Sequence, residues 1–361
     1  MALDRRRNDA YAAALARVIT PESVVLDLGA GVGIHGLLAA RLGAKRVYLV
    51  EPEAVIAVAE EAARRNGLQD RIICLCHRIE DVVLPEPVDV IVSALTGNLL
   101  FTEDLLPLLL RARDAYLKPG GVLLPDRATL ELAPVNAPAI HQREIADWDS
   151  DQHDVCLAPA RTYAANTVLF RWDRGDVTYL AQPRTVHTMD LATATYDALH
   201  VETEFTAHTN GLCHGLAGWF TMRLGERWLS TAPDAEATHW APALLPLDPP
   251  LALTSGDTIS ARLDRVPYGD WTWSVASSTD RRRHSTMRGT PFPAGALRRA
   301  AFDYRPSITA DGVEIQAVLA RCDGTRSLAE IARSVHQQWP ARYPTHEDAL
   351  RFVQRIVNQF A

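Results

Sequence analysis

Through roughly the first 128 residues, two hydrophobic patterns alternate along the chain. Short runs of Val, Leu and Ile, apolar at nearly every position, are followed by longer stretches whose apolar residues recur every three or four positions. The first pattern predicts strands buried on both faces of a parallel sheet, and the second predicts amphipathic helices packed on it. A helix is expected within residues 1–20, where Tyr11, Leu15 and Val18 share a face and Pro21 ends the run. Strands are expected at Val24–Asp27, Arg46–Val50, Arg71–Cys76 and Val88–Ser93, with helices over Leu37–Arg41, Val55–Asn66 and Leu105–Tyr116. Leu117 to Gly121 reads as a turn leading to a strand at Val122–Pro125. Such alternation means a doubly wound parallel sheet.

Beyond Arg127 the pattern changes. Strand-like runs dominate at Ala128–Ala133, Val168–Trp172, Val201–Thr206, Gly215–Leu224, Thr258–Leu263 and Trp271–Ala276. Pro and Gly punctuate them, which reads as a mostly antiparallel β domain. Residues 137–190 have weaker periodicity and are expected to hold helices that project as an insertion. The β pattern ends around Arg281-Arg282-Arg283-His284. A linker rich in Gly, Pro and Arg leads to amphipathic runs at Val313–Cys322, Leu328–Trp339 and His346–Phe360. Ser327 and Thr345 stand as N-caps, with Glu330 and Asp348 three residues on in capping-box spacing.

Candidate chemistry concentrates between Val24 and Glu51. An apolar strand ends in Asp27, glycines follow at Gly29, Gly31 and Gly33, and a second strand leads to Glu51. Strand, Gly turn, helix, strand and acid make a βαβ unit that binds a nucleoside. The glycines allow a sharp turn and a close approach of backbone to ligand. Glu51 can accept both ribose hydroxyls. The spacing is Gly-x-Gly-x-Gly rather than the Gly-x-Gly-x-x-Gly of dinucleotide binders. Asp27 directly before the turn would repel a pyrophosphate but not a cation. Both features favour S-adenosyl-L-methionine, with S-adenosyl-L-homocysteine as product, over NAD. The alternative is such a unit with an empty crevice, against which the acid pair Asp27 and Glu51 argues.

Composition changes this picture little. A chain of 361 residues with 47% hydrophobic and 22% charged positions is ordinary globular material for two or three domains. A net charge of −7 argues against a dedicated nucleic-acid binder. The five cysteines are scattered, and neither they nor the twelve histidines show metal-ligand spacing. No metal site is therefore expected, and a cytoplasmic location is. No signal peptide or long apolar run is evident, so no membrane association is expected.

Further motifs carry a family resemblance over residues 1–285. They are Leu117-Lys118-Pro119-Gly120-Gly121-Val122-Leu123-Leu124-Pro125-Asp126-Arg127-Ala128, Cys213-His214-Gly215-Leu216-Ala217-Gly218-Trp219-Phe220, Thr238-His239-Trp240 and Ser277-Ser278-Thr279-Asp280. In this order the chain resembles the protein arginine methyltransferase family. The resemblance implies a Rossmann-like cofactor domain over 1–128 and an antiparallel β-barrel domain over 129–288. It also implies a homodimer, formed by an arm within about 137–190 that carries Trp148, Tyr163 and Trp172. Asp27 would contact the methionine amino group, Glu51 the ribose, and Ile79 and Glu80 the adenine. Arg7, in a pattern beginning Met1-Ala2-Leu3-Asp4, would hold the methionine carboxylate; otherwise it is one more solvated charge in a basic run. Asp4 would pair with His239; otherwise His239 is a barrel histidine bonded to backbone.

Two departures bear on the substrate. The family carries two glutamates in the loop after the fourth strand, and here Ala94 stands at the first position and Glu103 at the second. Two carboxylates clamp a planar guanidinium from both sides. With Ala94 and Trp240 at the substrate, an aliphatic amine is therefore expected instead, with Glu103 as base or orienting group and Asp4–His239 as proton relay. The family's aromatic-rich helix upstream of Asp4 is reduced to a remnant, so the cleft is expected to be more open. The tail, with Asp323-Gly324-Thr325-Arg326 before Leu328-x-x-Ile331, resembles small PqqD-like or winged-helix domains that bind leader peptides, here over 292–361. Together these lead to an expectation of N-methylation of an amine on a ribosomally made precursor peptide, as in daptide-type maturation. The alternatives are a protein arginine methyltransferase and a non-catalytic cofactor-binding scaffold.

Overall fold

The computed structural model describes residues 2–151, 153–170 and 172–360, so Met1 of the N-terminal pattern lies outside the described residues. The chain divides into two compact units, Met1–Pro291 and Phe292–Ala361.

The first unit opens with α1 (Arg5–Val18), β1 (Val24–Leu28), α2 (Ile34–Arg41), β2 (Arg46–Val50), α3 (Ile56–Arg65), β3 (Ile72–Leu75), β4 (Val88–Ser93), α4 (Leu106–Tyr116) and β5 (Leu117–Leu124). The five strands form one parallel sheet in the order β3-β2-β1-β4-β5. Central β1 is buried along its whole length, as its Val-Val-Leu run dictates. α3 buries Ile56, Ala59 and Ala63, spaced three and four apart, and exposes its charges. Asp27 pairs with Leu49 and Val92, so Asp27, Glu51 and Ser93 reach the same carboxyl edge of the sheet. The strand order reverses beside β1, the position at which sheets of this kind open a ligand crevice.

The turn expected at Leu117–Gly121 is a bulge inside β5. Leu117 pairs with Val88 and Val122 with Val90, so residues 118–121 loop out between them.

A barrel-like antiparallel layer follows. Its elements are β6 (Arg127–Asn136), α5 (Pro138–Glu144), α6 (Arg161–Ala164), β7 (Thr178–Tyr179), β8 (Arg184–Asp190), β9 (Leu199–Thr206), β10 (Gly211–Leu224), β11 (Arg227–Ser230), β12 (Ala243–Leu253), β13 (Thr258–Arg265), β14 (Trp271–Ala276) and β15 (Arg281–Ser285). One sheet runs β11-β10-β6-β7, with β12 added to β10 and β8 to β6; the other runs β15-β14-β13-β9. In β13, Ile259, Ala261 and Leu263 point into the core while Thr258, Ser260 and Arg262 face water.

One strand expectation fails here. Among the described residues of 168–172 no strand forms: Leu169 makes an isolated bridge to Leu244, and Trp172 turns its Nε1–H onto the Leu169 carbonyl at 3.2 Å. The β pattern ends close to where it was expected, with a last strand running from Arg281 to Ser285. β15 pairs with β14 through Arg281, Arg282 and Arg283 on an outer edge, where charged side chains stay solvated and only His284 is buried.

The second unit holds α7 (Ala294–Ala300), α8 (Ala310–Leu319), α9 (Leu328–Gln338) and α10 (His346–Phe360). Val318, Ile331, Val335, Val353 and Ile356 form its core. Ser327 and Glu330 close a capping box at the start of α9, and Thr345 and Asp348 exchange the same bonds before α10. The small helical tail expected from the amphipathic runs is present, and no strand occurs among the described residues of this unit, so the wing of a winged-helix domain is not found there. The Asp-Gly-Thr-Arg motif has a local role there. Asp323 accepts from the Thr325 N–H at 3.0 Å and pairs with Arg326 at 2.7 Å, while Gly324 takes φ +78°.

Candidate functional site

The cleft is built first from the edge of the parallel sheet. Gly29, Gly31 and Gly33 all have positive φ, at 69°, 54° and 81°, which L side chains rarely adopt. A Cβ at Gly31 would meet nothing within 4 Å, so the turn faces open space there. Asp27 is 1% exposed and accepts the Gly36 N–H at 2.7 Å. Burial pushes its carboxyl up to about 7, against the pull of the Gly36 bond and Arg7, and Glu51 adds to the rise. Glu51 is fixed by two backbone N–H groups, Gly31 at 2.9 Å and Glu53 at 3.1 Å. Ile79 is buried, and Glu80 beside it is half-buried and pairs with Arg78 at 3.3 Å.

The N-terminal helix brings the next pieces. Asp4 caps α1 by accepting the Arg7 N–H at 3.0 Å, a cap whose loss typically costs about 0.5–2 kcal/mol. Arg7 is buried in the first turn, and Tyr11 one turn on donates its hydroxyl to the Ser93 carbonyl at 2.8 Å. A buried guanidinium, a buried carboxylate and an open Gly turn thus line one end of the cleft. That donor set fits the zwitterionic amino-acid end of S-adenosylmethionine, and Glu51 fits its ribose.

The barrel closes on this edge through the loop before β12. The second oxygen of Asp4 accepts both the His239 N–H at 2.7 Å and His239 Nδ1 at 2.9 Å. With Nδ1–H directed at the carboxylate, Nε2 carries the lone pair. Burial, outweighing the Asp4 bond, holds His239 below its usual pKa, so it is neutral near pH 7. Burial alone would raise Asp4, but the N–H bonds from Arg7 and His239 hold it low. The pair is therefore a neutral imidazole backed by a carboxylate.

Trp240, expected at the substrate, is instead a strut. It is 4% exposed and donates Nε1–H to the Thr96 carbonyl at 2.8 Å, edge-on to Phe220. Asn98 accepts the Ala241 N–H at 3.0 Å, a second tie between the two loops. Ala94 is half-buried at the head of the 93–104 loop and Glu103 is exposed at its end. Leu99, Leu100, Glu103 and Asp104 all have positive φ, between 50° and 72°. Such backbone is sparsely populated and persists where its surroundings impose it. Asp104 shows how: Arg265 grips it at 2.9 and 2.6 Å, and Tyr196 donates its hydroxyl to it at 2.5 Å.

Thr96, Asn98, Asp104 and Arg265 were not among the residues singled out by sequence. Their partners lie more than 90 positions away, and no local pattern marks them.

Residues 126–273 match the family model described as the arginine methyltransferase oligomerization subdomain, and residues 12–124 match that of ribosomal protein L11 methyltransferase (PrmA). Protein arginine N-methyltransferase 6 of Xenopus laevis is 34% identical over 257 residues, covering 67% of this chain and 75% of the frog protein. The histone-arginine methyltransferase CARMER of Anopheles gambiae is 34% identical over 254 residues, 66% of this chain but only 40% of the mosquito protein. In fold, the chain is similar to the Trypanosoma brucei PRMT1 enzyme–prozyme heterotetrameric complex with AdoHcy. That likeness has a TM-score of 0.70 at 24% identity, covering 78% of this chain and 95% of the other.

Proposed function

The chain belongs to the protein arginine methyltransferase family and depends on S-adenosylmethionine, and from that premise we propose that it methylates guanidinium nitrogens of arginine in a protein substrate. The observation that carries this reading is the double use of Asp4. It caps the helix bearing Arg7 and grips His239, so the cofactor edge and the barrel loop share one cleft.

The expectation of a precursor-peptide amine is corrected. The relatives are named arginine N-methyltransferases, and the motif that suggested leader binding is a turn between helices. Ala94 does not by itself exclude a guanidinium. One carboxylate has two oxygens and can take two N–H groups of a guanidinium in parallel. Ala94 removes one of two clamps and leaves the other, Glu103.

Bound S-adenosylmethionine supplies an electrophilic methyl group on a sulfonium. Arg7, Asp27, Glu51 and the Ile79–Glu80 pair hold its successive parts. Glu103 accepts two N–H bonds of the substrate guanidinium and fixes its plane, leaving the third nitrogen to attack. That nitrogen must shed a proton, because a guanidinium stays charged to about pH 12 or beyond. His239 Nε2 takes the proton, and Asp4 stabilises the imidazolium that forms.

The active species is a homodimer joined through the insertion between β6 and β8. Trp148 and Tyr163 there are each 38% exposed and available to a partner. Trp172 is folded back onto Leu169 and packs internally. Transfer of labelled methyl from S-adenosylmethionine to an arginine-rich peptide, and none to the same peptide with lysine for arginine, tests the substrate class. Label on the lysine peptide alone would refute it.

A further inference from the structure

Two groups in the cofactor cleft are left unsatisfied. Arg7 is 3% exposed yet forms no ion pair among the described residues; its Nε and Nη2 both go to the neutral Asn8 Oδ1, at 3.2 and 2.9 Å. A buried guanidinium without a contacting counter-charge is costly unless something anionic joins it. His35, in the first turn of α2, is 5% exposed, and its Nε2 is enclosed without a hydrogen-bond partner. Buried polar atoms without partners are rare and call for a cause.

Packing explains only half of His35. Its ring stacks on Tyr11 with centroids 4.3 Å apart and planes at 24°. Tyr11 is itself pinned by its bond to Ser93, so the imidazole is held in place and does not swing out to water. A hydrocarbon side chain could fill the same space; the Nε2 atom is what packing leaves unused. The next residue, Gly36, gives its N–H to Asp27. The Arg7 charge on α1 lies close enough to act on both Asp27 of β1 and His35 of α2, so the three gather at one end of the cleft. They offer two donors and one acceptor, the complement of an amino-acid zwitterion.

We propose that His35 is a further cofactor-binding residue, donating a ring N–H to the carboxylate of the methionine portion beside Arg7. This rests on the reading of the cleft as an S-adenosylmethionine site. Burial and the neighbouring Arg7 charge push the His35 pKa down to about 3, so the ring stays neutral and adds no second cation beside the guanidinium.

Calorimetric titration of the full chain with two ligands tests the inference. S-adenosylhomocysteine carries the amino-acid end; 5′-methylthioadenosine keeps the nucleoside and thioether without it. His35→Phe preserves the stack and removes the ring N–H. It is expected to weaken S-adenosylhomocysteine roughly tenfold or more, the usual cost of losing a bond to a charged group, and to leave methylthioadenosine unchanged. His35→Gln, which restores an N–H, is expected to recover part of the loss. The Phe-to-wild-type ratio is expected to stay constant from pH 6 to 8. Unchanged S-adenosylhomocysteine affinity in His35→Phe, or an equal loss for both ligands, would overturn the inference while the cofactor reading stands. Failure of the wild type to bind either ligand would overturn both.

Discussion

Asp27 is a carboxyl buried at the cofactor end of the cleft, and its ionisation is set first by that burial. Its folded pKa is raised to about 7 by burial, above an unfolded value of 3.8. A raised folded value means that its contribution to stability is complete below the unfolded pKa and is lost as pH rises through about 7. Without cofactor, the Asp27-dependent part of the melting midpoint should fall between about pH 4 and 7 and level off above, and Asp27→Asn should flatten it. Cofactor affinity should run the other way, rising with pH as the carboxylate forms; thermal melts with and without S-adenosylhomocysteine read both. At the substrate end, Glu103→Gln keeps shape and removes charge. Turnover should fall about 10²–10³-fold while S-adenosylhomocysteine affinity holds. Ala94→Glu should raise kcat/KM on arginine peptides by restoring the second clamp; an unchanged or lower value in steady-state kinetics would show that position 94 does not face the guanidinium. Asp27 and Glu51 were legible in sequence because strand, glycine turn and acid are local signals. Glu103 was legible only through its family pattern. Arg265, which holds Asp104 from the end of β13, gave no signal at all.

At the scale of elements, the 93–104 loop couples the two halves of the cleft. Its backbone closes so tightly that a Cβ at Gly97 would lie 1.6 Å from the Thr102 carbonyl oxygen. Gly97→Ala should therefore displace the loop and abolish turnover, with calorimetry showing near-normal cofactor affinity because the glycine turn after β1 lies outside the loop. Full activity in that variant would mean that the loop conformation is irrelevant to catalysis. Helices and parallel strands of the first unit were readable because each buries a face of one period. The barrel was less so. β12 carries Pro246, Pro249 and Pro250, which argue locally against a strand, yet β10 pairs with it from Gly211 to Gly218. β15 is a row of arginines whose strand character comes from β14 beside it. In both, tertiary pairing overrides local propensity.

At the scale of the molecule, every cofactor and substrate residue named above lies within Met1–Pro291, a compact unit in its own right. A chain ending at Pro291 should keep S-adenosylhomocysteine affinity and cooperative melting; loss of both would tie the helical unit to the stability of the first. Light scattering at micromolar concentration should give twice the chain mass, and Trp148→Ala with Tyr163→Ala should shift it toward the monomer. The boundary after Pro291 falls in the Gly-, Pro- and Arg-rich linker that precedes the amphipathic runs of the tail, whereas the change of hydrophobic period near Arg127 lies inside the first unit. The helices of the tail were legible from their spacing and caps; the role of Asp-Gly-Thr-Arg was not, because that motif serves a turn that many small helical domains need. The most direct measurement is mass spectrometry of an arginine-rich protein after incubation with the enzyme and deuterated-methyl S-adenosylmethionine. The expected result is labelled methyl on arginine side chains, lost in Glu103→Gln. Label confined to lysine or terminal amines, with arginine untouched, would contradict the assignment.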